Sequence, residues 1–260
     1  MAREAAAAHQ GDPAEAGALE LRIGNSDAPD GRDHQTEQLR ETMRLPQARF
    51  ALIFTLLGSG AFAAPDPALW TLTDLHQVGG QTPTIWGAPQ VVADGGMRFN
   101  GTGDGILVPV NPLAGWDKFT IAILFRPDAD GAFAQRFLHA EDAHGERMTI
   151  ESRVVAGQGW YMDTFLLPGT GQKGLALIDP KKLHPLGRWA WGELVYDGRT
   201  MTAYVDGVQE LTGPVAFPPM GAGQTSVGVR QNKLYWFKGL IKEVRFYPTA
   251  LAPADLPHAP

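Results

Sequence analysis

Glu151 and Arg153 stand two residues apart in the apolar run Met148-Thr-Ile-Glu-Ser-Arg-Val-Val155, and Arg230 and Asn232 repeat that spacing in Ser226-Val-Gly-Val-Arg-Gln-Asn232. A separation of two puts both members of each pair on one face of a strand. Charges in the middle of such strands need partners, because an unpaired buried charge is costly. Two readings follow. Either the pairs tie neighbouring strands together, or the guanidinium forks line a concave face and hold the carboxylate or sulfate of an acidic glycan. Trp160, in Trp160-Tyr-Met-Asp163, and Trp236, in Tyr235-Trp-Phe-Lys238, add flat faces on which sugar rings stack. Tryptophan also fills sandwich cores; Trp236, which follows the polar Gln231-Asn232-Lys233, is the one expected at the surface.

Proton transfer could fall to His139, His184 or Tyr235, each set against the alternative of a satisfied structural side chain. Glu141-Asp142-Ala-His144-Gly145-Glu146 concentrates carboxylates. Retaining glycoside hydrolysis needs two carboxyls ~5 Å apart on one side of the bond. Glu141 and Asp142 are adjacent and point to opposite faces, and His144-Gly145 is a turn, so this stretch reads as a solvated hairpin tip.

The elements that must position these groups are strands. Two Asp-Gly pairs, Asp197-Gly198 and Asp206-Gly207, interrupt runs of aromatic and β-branched residues, which is the pattern of tight hairpins. They predict a meander over Arg188–Leu211, with Trp189, Trp191, Glu193 and Val195 on one face of its first strand. Phe119-Thr-Ile-Ala-Ile-Leu-Phe-Arg126 alternates as a half-buried strand ended by Pro127-Asp128. Further strands are predicted over Arg136–Glu141, Arg147–Val155, Trp160–Leu167, Leu175–Ile178, Thr225–Gln231 and Gly239–Tyr247. Short, regular spacing by turns is the signature of a sandwich, not of βαβ units. Residues 64–260 read as a single domain.

The preceding residues differ in texture. Residues 1–42 hold four Arg against nine Asp and Glu, so most of the net charge of −6 lies there, and they read as a disordered leader or a mis-called start. Residues 43–63 combine a basic start, the short apolar run Phe50–Leu57 and Ala61-Phe-Ala63, the layout of a secretory signal peptide cleaved before Ala64. The protein is therefore expected outside the cytoplasm, secreted, periplasmic or extracellular. With no cysteine there is no disulfide framework and no thiol chemistry, and the negative charge argues against nucleic acid or an anionic membrane as partner.

The order Trp…Tyr196-Asp-Gly…Tyr204-Val-Asp-Gly207, Phe99-Asn-Gly-Thr-Gly-Asp104, Phe119-Thr-Ile-Ala122 and Gly239-Leu-Ile-Lys-Glu-Val-Arg-Phe-Tyr247 followed by Ala250-Leu251 resembles the laminin-G-like, concanavalin A-type lectin/glucanase jellyrolls. The resemblance runs from about Trp70 to Leu256 and implies an all-β, two-sheet jellyroll sandwich. Asn100 stands where that family usually has Asp. Calcium is common in the family at loop carboxylates, which makes Asp104 and Asp74 candidate ligands for Ca²⁺, with turn-forming Asp as the other explanation. Glu151-Ser-Arg153 and Tyr235-Trp-Phe-Lys-Gly239 are faintly similar to motifs of jellyroll alginate lyases, which would give Arg153 the uronate carboxylate and Tyr235 or His139 the proton. Such jellyrolls include lectins, adhesion domains, hydrolases and lyases, so function rests on the site. The expectation is an exported, non-catalytic carbohydrate-binding or surface-interaction module. A polysaccharide lyase, a glycoside hydrolase and a protein-binding adhesion domain are the alternatives.

Overall fold

The computed structural model describes residues 67–93 and 95–259, together with the two-residue strand β1 (Leu19–Glu20). The leader and signal-peptide readings otherwise lie outside the described residues. The backbone of β1 runs parallel to Leu175–Ala176.

Fifteen further strands follow: β2 (Ala68–Thr71), β3 (Thr84–Trp86), β4 (Gln90–Val91), β5 (Met97–Asn100), β6 (Gly105–Val108), β7 (Phe119–Pro127), β8 (Ala134–Asp142), β9 (Glu146–Val155), β10 (Gly159–Pro168), β11 (Leu175–Ile178), β12 (Ala190–Tyr196), β13 (Thr200–Val205), β14 (Val208–Pro214), β15 (Gly223–Val227) and β16 (Lys238–Tyr247). They form two sheets. Sheet A runs β1-β11-β10-β9-β8-β15-β6-β3, and sheet B runs β14-β13-β12-β7-β16-β5-β4 with β2 also on β16. Apart from β1, every pairing between the strands is antiparallel. This is the jellyroll sandwich expected from the sequence.

Between the sheets lies one large apolar core. Phe125 stacks on Phe137 across it at 4.4 Å between ring centroids and meets Trp160 edge-on at 4.8 Å. Inward residues alternate with outward ones along each strand. On β9, Met148, Ile150 and Val154 join the core, so Arg147, Thr149, Glu151 and Arg153 take the outer face of sheet A. On β10, Trp160, Met162 and Leu166 point inward and Tyr161, Asp163 and Phe165 outward.

The two Asp-Gly turns form as the sequence implies. Asp206 and Gly207 both have positive φ, 50° and 73°, the geometry of a two-residue hairpin. At the other turn Gly198 takes φ 96°, while the Asp197 carboxylate accepts the N–H groups of Arg199 and Thr200. The strand expected over Thr225–Gln231 stops earlier, at Val227. Gly228 takes φ 84° there, and a Cβ on it would fall 2.3 Å from the Phe99 ring, so the chain turns across the core edge where only glycine fits. The terminal turn of helix is a 3-10 turn over Pro253–Asp255.

Candidate functional site

Sheet A brings Glu151 and Arg153 together as expected and adds two groups that spacing did not identify. Glu151 lies opposite Arg136 on β8 and opposite Asp163 on β10. Two carboxylates facing one another across a strand pair would repel. Arg153 relieves this: its Nη2 lies 3.2 Å from Glu151 and 2.5 Å from Asp163, and its Nε donates to Asp163 at 3.0 Å. Arg136 Nε donates to the other side of Glu151 at 2.5 Å. The result is a row, Arg136–Glu151–Arg153–Asp163, crossing three strands. Glu151 and Arg136 are each about 1% exposed, whereas the Arg153 side chain keeps 16% of its surface.

Tyr235 joins this row from above. The Arg136 guanidinium lies 4.2 Å from the centre of its ring, and the Arg136 N–H donates to the Tyr235 carbonyl at 2.8 Å. Arg230 precedes it in the same loop; burial lowers the pKa of its guanidinium, and Tyr235 opposes that shift. Arg147 lies further along β9, 5.0 Å over the Phe165 ring. Four arginines and the tyrosine are thus carried by β8, β9 and the loop after β15. Arg230 and Asn232 do not share a strand face, because β15 has already ended. Asn232 is exposed and caps its own turn, its carbonyl oxygen accepting the Leu234 N–H at 3.3 Å.

Trp160 is fully buried, packed on Phe125 and on His184 at 4.8 Å, with its indole N–H directed to the Pro185 carbonyl. It is a core residue, which corrects its assignment as a sugar-stacking surface. Trp236 is partly exposed, as expected. Trp86, on the three-residue edge strand β3, is also partly exposed; it stands between Pro83 and Gly87, where no strand period marks it.

The candidates for proton transfer are held differently. His139 is fully buried on the outer side of β8. Burial first, then the charges of Arg147 and Arg136, hold its pKa well below the ordinary value, so it is neutral. Its Nε2 is 3.4 Å from Glu141, and neither ring nitrogen has a hydrogen bond among the described residues. His184 lies 2.7 Å from Glu210, away from the arginines' strands. Asp142 is structural: its carboxylate accepts N–H groups from His144, Glu146 and Gly221, tying the β8–β9 hairpin to the loop before β15. Burial, together with its hydrogen bond to Asp142, raises the pKa of Glu146.

Asp104 closes a loop, one oxygen accepting the Ala88 N–H at 2.8 Å and the other the Asn100 N–H at 3.1 Å. Asp74 accepts the His76 N–H at 2.7 Å. Among the described residues no three His, Asp or Glu side chains gather as a metal site.

A lectin-type sandwich is the class that this architecture defines. The profile described as the concanavalin A-like lectin/glucanases superfamily, of laminin G type, matches residues 100–256, and the chain belongs to that superfamily. No curated protein matches the sequence. Among solved structures, domain 4 of AbnA, a GH43 extracellular arabinanase from Geobacillus stearothermophilus solved with arabinotriose, is similar at TM-score 0.53 and 22% identity, over 72% of this chain and 94% of that one. The receptor binding domain of botulinum neurotoxin D is similar at TM-score 0.56 and 11% identity, over 73% and 50%. The NanB sialidase from Streptococcus pneumoniae is similar at TM-score 0.51 and 16% identity, over 63% and 27%. The chain thus spans half of the toxin domain's chain and about a quarter of the sialidase. At these identities the likeness is one of fold.

Proposed function

We propose that this is an exported, non-catalytic carbohydrate-binding module that takes an acidic glycan on the outer face of sheet A. The observation that carries the reading is that one face of sheet A, with the loop after β15, carries Arg136 and Arg230 beside Tyr235, Arg153 next to Arg136 through Glu151, and Arg147 further along β9, in a chain whose net charge is −6. Guanidinium forks match carboxylate and sulfate geometry, and an aromatic ring beside them offers a stacking surface for the sugar. Carbohydrate-bearing complexes among the structural neighbours, arabinotriose on the arabinanase domain and SialylT on a botulinum neurotoxin binding domain, support the ligand class. The complete burial of His139, which keeps its ring from a surface-bound polymer, and the structural engagement of Asp142 favour binding over catalysis.

A glycan array probed at low and at high salt tests this. Uronate- or sulfate-bearing glycans are expected to bind at low salt and to fade as salt screens the charges. Arg230→Gln is expected to weaken that binding about tenfold, the loss of one charge-assisted contact. Binding confined to neutral glycans, or appearance of unsaturated uronate products on incubation, would overturn the reading.

The export part rests on the charged, apolar and small-residue order of 43–63. N-terminal sequencing of protein recovered from outside the cytoplasm is expected to start at Ala64 or within a residue or two, and an intact leader on it would refute cleavage.

A further inference from the structure

We infer that Trp86, Trp236 and Lys233 form a second binding subsite at the β3–β6 end of sheet A, one that stacks a sugar ring and meets an anionic substituent on it. The inference rests on the carbohydrate-binding reading but not on the arginine row. Trp86 is paired across the ladder with Gly105. A Cβ at Gly105 would stand 2.6 Å from the buried Val229 side chain, 3.2 Å from Trp86 and 3.4 Å from Trp236, so the two indoles and Val229 close together over the glycine and the indoles lie beside each other. Both indoles remain partly exposed. Burial would stabilise them as it does Trp160, yet they stay at the surface beside each other, offering apolar area with a polar N–H edge, the combination that sugar C–H faces and hydroxyls engage.

The cation is placed by the loop after β15. Lys233 Nζ lies 5.0 Å from the centre of the Trp86 ring. Its backbone is left-handed, φ 62°, and so is that of Tyr235, φ 63°. Neither is glycine, and such strain persists where surrounding structure holds it and is concentrated at ligand sites. Here the turn is held by the Lys233 N–H donating to the Arg230 carbonyl at 2.8 Å and by the Asn232 side chain. The left-handed pair turns Lys233 toward Trp86 and Tyr235 toward Arg136 from one short loop. An ammonium over an exposed indole is weakly held, and a carboxylate or sulfate on the stacked ring would draw it away readily.

The test uses the full chain labelled with 5-fluorotryptophan, titrated with oligogalacturonate and, separately, with arabinotriose, and read by fluorine NMR. The resonances of Trp86 and Trp236 are expected to shift saturably with oligogalacturonate, while that of buried Trp160 stays in place. Trp86→Ala and Trp236→Ala are each expected to weaken calorimetric binding about tenfold, the scale of a lost aromatic stack. Lys233→Gly supplies a variant that must fold: it relieves the left-handed strain, so its melting temperature is expected to hold or rise while affinity for oligogalacturonate falls. Arabinotriose, without an anionic group, is expected to be indifferent to that change. If calorimetry shows oligogalacturonate binding while both indole resonances stay still, this subsite is wrong and the arginine-row reading stands. If neither sugar binds, both are wrong. If Lys233→Gly binds oligogalacturonate as tightly as the parent, the anionic contact is wrong.

Discussion

Arg136→Ala is expected to lower the unfolding free energy by up to ~3–5 kcal/mol, because it removes one arm of a buried ion pair and leaves Glu151 to Arg153, whose guanidinium is shared with Asp163. Glu151 is about 1% exposed, so water cannot replace the lost guanidinium without local opening. The same change also strips the ring of Tyr235 of the guanidinium that lies 4.2 Å from its centre. Denaturant unfolding monitored by tryptophan fluorescence measures the effect. The double variant Arg136→Met/Glu151→Leu separates charge from packing. Removing both partners leaves no stranded carboxylate, and most of the lost stability is expected to return. A single variant as stable as the parent would show that the row is ornamental to the fold.

Glu193→Gln is expected to act in the opposite direction. Glu193 lies on the outer face of sheet B, fully buried, opposite Ala122 and Tyr204. One carboxyl oxygen has no hydrogen bond among the described residues, and the other faces only the Gly207 N–H at 3.5 Å. Burial, reinforced by the nearby carboxylates of Asp206 and Glu210, pushes its pKa up to about 9, against the favourable Gly207 contact. Since the folded protein holds this proton more tightly than the unfolded chain, the linkage is unfavourable as pH rises. The contribution is intact below the ordinary carboxyl range, declines through neutrality, and is fully lost once pH passes about 9. Glutamine carries no such penalty. At pH 7 the variant is expected to gain stability on the order of 3 kcal/mol over the parent, and its stability–pH curve should be flatter between pH ~5 and ~9. Thermal unfolding across that range measures both. A parent curve that rises over the same interval would mean that Glu193 is ionised and paired.

Much of the sandwich was legible in the sequence because its signals are local. Asp206-Gly207 needs only positive φ at two successive residues, which the sequence itself displays. Glu151 and Arg153 share a face by simple alternation, and the structure keeps them there. Their partners were harder to see. At β8 the register slips between Arg136 and Leu138, a bulge that leaves Phe137 and Leu138 both in the core. Arg136 and His139 then share the outer face although they are three residues apart, which a period of two places on opposite sides. Trp160 could have been read correctly, since Asp163, three residues on, must point the other way and the charged side chain cannot be the inward one. Trp86 could not, because a three-residue strand between glycines and prolines shows no period at all. The Arg230–Asn232 pair was lost to Gly228, whose close approach to Phe99 is a tertiary contact that no spacing records.

The central claim is that an acidic glycan binds the outer face of sheet A, and backbone amide NMR of the full chain titrated with oligogalacturonate tests it most directly. Saturable shifts are expected on β8, β9 and the loop between β15 and β16, around Arg136, Arg153, Arg230 and Tyr235, with β12, β13 and β14 of the opposite sheet unaffected. Shifts confined to β12–β14, or no shifts at any ligand concentration, would contradict the account.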